Sequence, residues 1–225
     1  MDTGVHKSLR RQEITFEEKD QSLRDDVRTL GAMVGDLIRE QNGDELFELV
    51  ESARLRAIRR REGNEKPGEE LDTLVENLDP ATASQLIRGF STYFQMVNTA
   101  EKVHRIRRRR DYLRDVRIYQ PGGLEDSLIK LKASGMDISG LQALLNSMSI
   151  EPVFTAHPTE STRRTILRKE QNIVKHLVDL LNPTMTPQET AAALQNIRML
   201  ATTGWQTAEH PAEQMTVADE LEHIL

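Results

Sequence analysis

The sequence predicts a mostly α-helical protein. Charged residues make up 29% of the 225-residue chain and aromatic residues only 4%, a balance that favours helices with solvated faces over a β-rich fold. Apolar residues recur at spacings of three and four along most of the chain, which is the period of an amphipathic helix. Proline, glycine and asparagine interrupt this pattern and mark where the helices end.

The first half of the chain is predicted to hold four helices behind a polar amino-terminal tail, residues 1–20, that has little periodicity and is expected to be mobile. Asn42-Gly43, a loop over residues 62–69, and Asp79-Pro80 separate the helices. The predicted helices span residues 23–40, 44–61, 71–78 and 80–116.

The longest predicted helix carries an apolar stripe that should be buried. Its far end carries the basic run His104–Arg110. Three interpretations of that run compete: a solvated helix face with acidic partners, a nucleic-acid patch, and one wall of an anion-binding cavity. The stripe consists of Leu86, Phe90, Tyr93, Phe94, Val97, Ala100 and His104.

The second half is predicted to be helical around one exception, the stretch between residues 151 and 169. Asp137 or Ser139 should cap the second of these helices. Thr186, Pro187 and Glu189 predict a capping box at the start of another. The predicted helices span residues 124–134, 138–148, about 160–181, a segment from Pro187 to about Trp205, and 216–225.

The exception combines a short strand with a basic helix start. Val153, Phe154 and Thr155 favour a strand over residues 151–156. Pro158 fixes its own φ and biases His157 toward an extended backbone, so the strand should end there. Thr159 is the candidate N-cap of the helix that follows.

Arg163 and Arg164 stand in the first turns of that helix. Cations at a helix N-terminus oppose the dipole at a cost of about 0.3–1 kcal/mol each. An anion held there by free N–H groups and guanidinium groups together would offset that cost. The alternative is that the arginines pair with Glu151, Glu160 or Glu170 on a solvated face. Local physics leaves both interpretations open.

Composition excludes several classes of protein. The formal net charge is −6 and the pI about 5.6, which argues against a general nucleic-acid binder. The chain has no cysteine, so disulfides and thiolate metal sites are excluded. No apolar run approaches the roughly 18 residues of a membrane span. We therefore expect a soluble, cytoplasmic protein that has neither nucleic acid nor membrane as partner.

The stretch VFTAHPTESTRRTILRK resembles the histidine-bearing signature of the phosphoenolpyruvate carboxylase family. Residues 90–101 with His104–Arg107 are similar to the long helix that precedes the signature in that family. Trp205-Gln206-Thr207 resembles the segment after it. Many members continue that segment with an Asp-Glu pair, whereas this chain has Ala208-Glu209, so no acidic role is carried over to Ala208. The resemblance covers the chain from about Leu23 onward.

The resemblance implies an eight-stranded α/β barrel of the TIM type surrounded by helices, in which phosphoenolpyruvate and bicarbonate give oxaloacetate and phosphate. It implies that His157 is the general base and that Arg163 and Arg164 line an anion site, which takes a sugar phosphate in some members. It also implies Mg²⁺ or Mn²⁺ as cofactor and a homotetramer. A barrel strand's carboxyl end and an imidazole suit such chemistry.

The resemblance also implies that this chain is the amino-terminal portion of a longer enzyme. We expect a tail at residues 1–20, a helical region at 21–150, and at 151–225 the first strand and helix of a barrel that the chain does not complete. The metal ligands, none of which we assign here, and most substrate contacts should lie in the remaining carboxy-terminal polypeptide. The isolated chain should then be inactive. The alternatives are a non-catalytic helical anion-binding or regulatory module, and a polyanion binder acting through Arg105–Arg110.

Overall fold

The computed structural model describes residues 18–62, 66–115, 117–152 and 162–209. Within these ranges the chain is helical and contains no strand. The predicted strand at 151–156 lies outside the described residues from residue 153 onward, as do the tail up to residue 17 and the predicted helix at 216–225. In the described part, a short 3₁₀ turn at Glu18–Asp20 precedes eight helices: α1 Gln21–Asn42, α2 Asp44–Arg61, α3 Lys66–Glu76, α4 Pro80–Arg114, α5 Leu124–Ala133, α6 Ile138–Ser147, α7 Arg164–Asp179 and α8 Pro187–Trp205.

Local signals in the sequence set most of the helix ends. Gly43 has φ +88° between α1 and α2, a left-handed conformation that glycine adopts without steric cost. The Asp79 side chain caps α4, accepting from the N–H groups of Ala81 at 2.9 Å and Thr82 at 3.1 Å. At α8, Thr186 and Glu189 form the predicted capping box. These local bonds supply partners for N–H groups that a helix leaves unpaired.

Helix α3 begins earlier than the sequence predicted. The stretch 62–69 was expected to be a loop, but α3 already begins at Lys66. Pro67 is its second residue, and a proline in the first turn of a helix loses no intrahelical hydrogen bond. The proline therefore allows a helix start where we had inferred a break.

The core forms where α4 packs against α1, α2 and α7, and where α7 and α8 pack together. Helix α1 contributes Leu30, Val34, Leu37 and Ile38, each at most 3% exposed. A fully buried aliphatic side chain stabilises the fold by about 1.5–3 kcal/mol through burial alone. The core also contains Leu46, Val50, Ala53, Leu86, Met96, Ala100, Val103, Ile173, Leu177, Ile197, Ala201 and Trp205.

The buried face of α4 differs in part from the predicted stripe. Phe94 was predicted to be buried but is 54% exposed. The reason is visible at Gly89, where an added Cβ would lie 3.1 Å from Val50 Cγ2 and 3.4 Å from Ile38 Cδ1. At this position, the close approach of α1 and α2 leaves little room for a side chain on α4. The buried positions are Leu86, Gly89, Thr92, Met96, Thr99, Ala100, Val103 and His104.

Candidate functional site

The structure describes two of the three residues predicted to form the site. His157 lies outside the described residues, as does the predicted N-cap Thr159. Helix α7 begins at Arg164 rather than near residue 160, and Arg163 occupies the N-cap position with an extended backbone. Arg164 is exposed and Arg163 half-buried. Both arginines therefore stand at the amino-terminal end of α7, directly after the segment that carries His157.

A backbone hydrogen bond fixes the start of α7 to the segment after α8. The Arg163 N–H donates to the carbonyl oxygen of Glu209 at 2.9 Å. The Glu209 carboxylate in turn accepts from Ser91 Oγ at 3.3 Å and from Gln95 Nε2 at 3.2 Å, both on α4. Glu209 thus joins three segments that are distant in the sequence. Sequence reasoning assigned it no role, although it stands in the segment compared with the family's Asp-Glu pair.

Two cations tie the end of α8 to its neighbours. Lys169 Nζ donates to the carbonyl oxygen of Thr203 at 2.7 Å and to Thr207 Oγ1 at 3.0 Å. The Arg88 guanidinium lies 5.0 Å from the centre of the Trp205 ring, and its Nη2 donates to the Trp205 carbonyl oxygen. These bonds hold the Trp205-Gln206-Thr207 segment beside α4 and α7. Lys169 and Arg88 therefore act as structural links around the start of α7.

This packing also shifts the pKa of Glu170. Burial raises the pKa of its carboxyl; the positive charge of Lys102 opposes that shift, and the negative charge of Glu209 adds to it. Between the ordinary pKa of a glutamate and this raised pKa, the folded state binds more protons than the unfolded state. The free energy of unfolding therefore falls as the pH rises through that window.

Replacing Glu170 with Gln should remove this loss of stability. We expect E170Q to have a higher urea midpoint than the wild type at pH 7, and the advantage to shrink at pH 4, where the wild-type carboxyl is largely protonated in both states. Urea denaturation followed by circular dichroism at the two pH values measures this. The matched control is E101Q, at an exposed position on α4. Equal gains for E101Q and E170Q would contradict the burial argument.

The cavity beside these residues is too small for the predicted substrate. A space of about 40 Å³ lies between α4, α7 and α8, lined in part by Lys169, Glu170 and Glu209. Small-molecule sites usually enclose about 300–1,000 Å³, so this space holds water at most. A larger groove of about 450 Å³ lies between α1, α2 and α4. There Arg54 donates to Glu51 at 2.7 and 2.8 Å, which neutralises part of its charge.

The basic run on α4 is partly engaged in the fold. Arg107 Nη2 donates to Asp26 Oδ2 at 2.8 Å, and both side chains are largely buried. Arg108 donates to the Tyr112 hydroxyl at 3.1 Å. The buried His104 has Nε2 3.4 Å from Asp20 Oδ1. The contacts of Arg107 and His104 bind α4 to the start of α1, and that of Arg108 lies within α4. Part of the run therefore serves packing rather than forming a continuous cationic surface.

Metal ligands are not grouped in the described part of the chain. Among those residues, no three or more His, Asp or Glu side chains come together in a way that could hold a metal ion. The described residues therefore do not fit the Mg²⁺ or Mn²⁺ that the resemblance implies.

The same part of the chain has no helix with the length and apolar character needed to cross a membrane.

The chain matches the family model described as phosphoenolpyruvate carboxylase over residues 23–225. Among its relatives, the phosphoenolpyruvate carboxylase of Xanthomonas campestris pv. campestris is 49% identical over 215 residues, which are 95% of this chain and 24% of that protein. The phosphoenolpyruvate carboxylase of Azorhizobium caulinodans is 37% identical over 227 residues, covering 100% of this chain and 24% of the relative. The chain thus spans about a quarter of the length of these curated relatives.

Proposed function

Because the chain belongs to the phosphoenolpyruvate carboxylase family, we propose that it supplies the amino-terminal part of an enzyme that forms oxaloacetate and phosphate from phosphoenolpyruvate and bicarbonate. The supporting observation is the motif Thr155-Ala156-His157-Pro158-Thr159-Glu160 followed by Arg163-Arg164. The motif lies within the matched residues, and its arginines stand at the start of α7.

The role we propose for His157 is that of general base. Bicarbonate carries a proton that must leave before its carbon is transferred, and in the overall reaction that proton ends on the released phosphate. An imidazole can accept and return a proton near neutral pH. In the sequence, His157 precedes the amino-terminal end of α7 by a few residues. The amino-terminal end of a helix carries the positive end of its dipole, which favours anionic groups.

The role we propose for Arg163 and Arg164 is to bind the anionic groups of the reactants. Guanidinium groups and the unpaired N–H groups of a first helical turn together favour phosphate and carboxylate. The bond from the Arg163 N–H to the Glu209 carbonyl oxygen holds this turn in place. The arginines therefore sit on a supported backbone rather than on a free loop.

The rest of the catalytic machinery belongs, in this proposal, to polypeptide corresponding to the remainder of the longer relatives. That polypeptide would complete the TIM-type barrel and provide the ligands of Mg²⁺ or Mn²⁺ and further substrate contacts. The completed enzyme would be a cytoplasmic homotetramer. The helical region at 21–150 and the segment from residue 151 onward would be its amino-terminal parts.

The test is a carboxylase assay with and without the downstream polypeptide. We expect the chain alone to form no oxaloacetate from phosphoenolpyruvate and bicarbonate. Joined in frame to the part of the Xanthomonas campestris relative that follows the matched region, it should do so in the presence of Mg²⁺. Oxaloacetate is measured by its reduction with NADH and malate dehydrogenase. A correctly folded joined protein without turnover would contradict the proposal.

The second candidate function is a non-catalytic anion-binding module, which the position of Arg163 and Arg164 at the start of α7 also favours. In that case the chain alone should bind glucose 6-phosphate, and an R163Q/R164Q variant should not. Isothermal titration calorimetry distinguishes the two functions. Binding by the chain alone, combined with an inactive joined enzyme, would favour the module over the carboxylase.

A further inference from the structure

Helices α5 and α6 form an apolar arm, residues 118–150, that lies outside the core. Neither helix has a buried residue. Ile138 is 87% exposed and Ile150 is 84% exposed. The large apolar side chains exposed on the arm are Ile118, Tyr119, Leu124, Leu128, Ile129, Ile138, Leu144, Leu145, Met148 and Ile150.

The exposed apolar residues form a broad face rather than scattered points. On α6 and its C-cap, the exposed apolar residues and the half-buried Leu141 lie on one side of the helix. At 100° per residue, these side chains cover an arc of about 120° around the helix axis. An apolar face wider than about 100° is typical of a helix that packs into a globular core, whereas a coiled-coil seam is narrower. The face consists of Ile138, Leu141, Leu144, Leu145 and Met148.

The charges of the arm do not suit a membrane surface. Helices that lie on membranes are rich in Lys and Arg on their polar face. Helix α6 has no charged residue at all, and α5 balances Glu125 and Asp126 with Lys130 and Lys132. An exposed apolar surface of this extent on a water-facing helix pair marks a protein contact.

We propose that the apolar arm docks against the part of the carboxylase polypeptide that corresponds to the remaining three-quarters of the relatives. This inference rests on the proposed function. It is supported by length, since the relatives are about four times as long as the matched chain, and by the width of the apolar face. The arm also leads at Ile150 directly into the segment that carries His157. Docking of the arm would position that segment against the catalytic body.

A double substitution on the arm tests the docking. Ile138 and Leu145 contribute nothing to the core cluster, so I138S/L145S should fold like the wild type, as judged by circular dichroism and urea denaturation. The chain is tagged and co-expressed with the downstream polypeptide of the Xanthomonas campestris relative. We expect the wild type to retain that polypeptide on affinity purification, and the double variant to retain at least tenfold less. The control is I87S, which changes a 68% exposed isoleucine on α4. This variant should retain as much of the downstream polypeptide as the wild type does.

Hydrogen exchange gives a second measurement that does not require two separate chains. The amides of α5 and α6 should exchange at least tenfold more slowly in the in-frame joined protein than in the chain alone, because docking excludes water from them. The substitution I138S/L145S should abolish the slowing and I87S should not. Unchanged exchange in the joined protein would overturn the proposal.

Other occupants of the arm give different results. If a second copy covers it, the chain alone should sediment as a dimer at micromolar concentration and I138S/L145S as a monomer, which would overturn the proposal. Co-flotation with phosphatidylcholine–phosphatidylglycerol vesicles that depends on Ile138 and Leu145 would also overturn it.

Retention of the downstream polypeptide is measured without turnover. Docking without oxaloacetate formation would therefore contradict the proposed function alone, and oxaloacetate formation without docking would contradict this inference alone.

Discussion

Replacing His157 with Asn in the joined enzyme should lower kcat by about 10²- to 10⁴-fold, the usual contribution of a positioned general acid or base. Asparagine keeps a polar side chain of moderate size but cannot accept a proton near neutral pH. The rate of oxaloacetate formation at saturating phosphoenolpyruvate and bicarbonate measures the effect. Binding of phosphoenolpyruvate should change far less than kcat, because Arg163 and Arg164 remain in place.

The matched control is His176→Asn, the same exchange on α7. His176 is half-buried, with Nδ1 4.0 Å from Asp179 Oδ2, and lies near the carboxy-terminal end of that helix. We expect H176N to keep wild-type turnover. If H157N also kept it, the assignment of His157 as general base would be wrong, and the role of the motif would reduce to anion binding by the arginines.

Replacing Ile197 with Ala should lower the free energy of unfolding by about 2–5 kcal/mol. Ile197 is the fully buried residue of α8, with 0% exposure, and belongs to the same core cluster as α1, α4 and α7. The substitution removes buried methyl and methylene groups and leaves a cavity that the surrounding helices fill only in part. Urea denaturation followed by circular dichroism at 25 °C measures the loss.

Ile87→Ala is the control for this substitution. Ile87 is on α4 and is 68% exposed, so the same exchange should change the free energy of unfolding by no more than about 0.5 kcal/mol. A loss below about 1 kcal/mol for I197A would show that α8 adds little to the core. The packing of the Trp205 segment against α4 would then have to come from the buried Trp205 ring and from its contacts with Arg88.

Helix positions were largely predictable because the determinants are local. The second helix was predicted at residues 44–61 and spans Asp44–Arg61, since Gly43 ends one helix and the acidic residues Asp44 and Glu45 suit the start of the next. Asp79 and Thr186 likewise act within three residues of themselves. Such bonds form wherever the chain turns into a helix, whatever packs against it.

The buried face of α4 was only partly predictable. A spacing of three and four residues indicates that some face is buried, and the aromatic residues Phe90, Tyr93 and Phe94 suggested which one. Phe90 and Tyr93 are partly buried against the core, but Phe94 is exposed. Gly89 and Thr92 are buried as well, and at Gly89 the side chains of Ile38 and Val50 leave little room for a Cβ. That choice depends on the partners of the helix, and helix periodicity does not encode them.

The candidate site was also predictable only in part. The motif from Val153 to Lys169 was visible in the sequence, and family membership over residues 23–225 agrees with it. The roles of His157, Arg163 and Arg164 remain predictions for the experiments above. Glu209 could not be predicted as a link, because its partners Ser91, Gln95 and Arg163 are separated from it by 46–118 residues of chain.

The sequence by itself determined the helical class, most helix boundaries, the family and the residues proposed for chemistry, because caps, turns and motifs are short-range features. Tertiary structure alone decided that Phe94 stays outside the buried face of α4, how Glu209 holds the start of α7, and that the apolar arm stays outside the core. Those outcomes depend on which segments pack together although they are distant in the sequence. Close packing and hydrogen bonding between such segments stabilise only the arrangement in which all of them fit together.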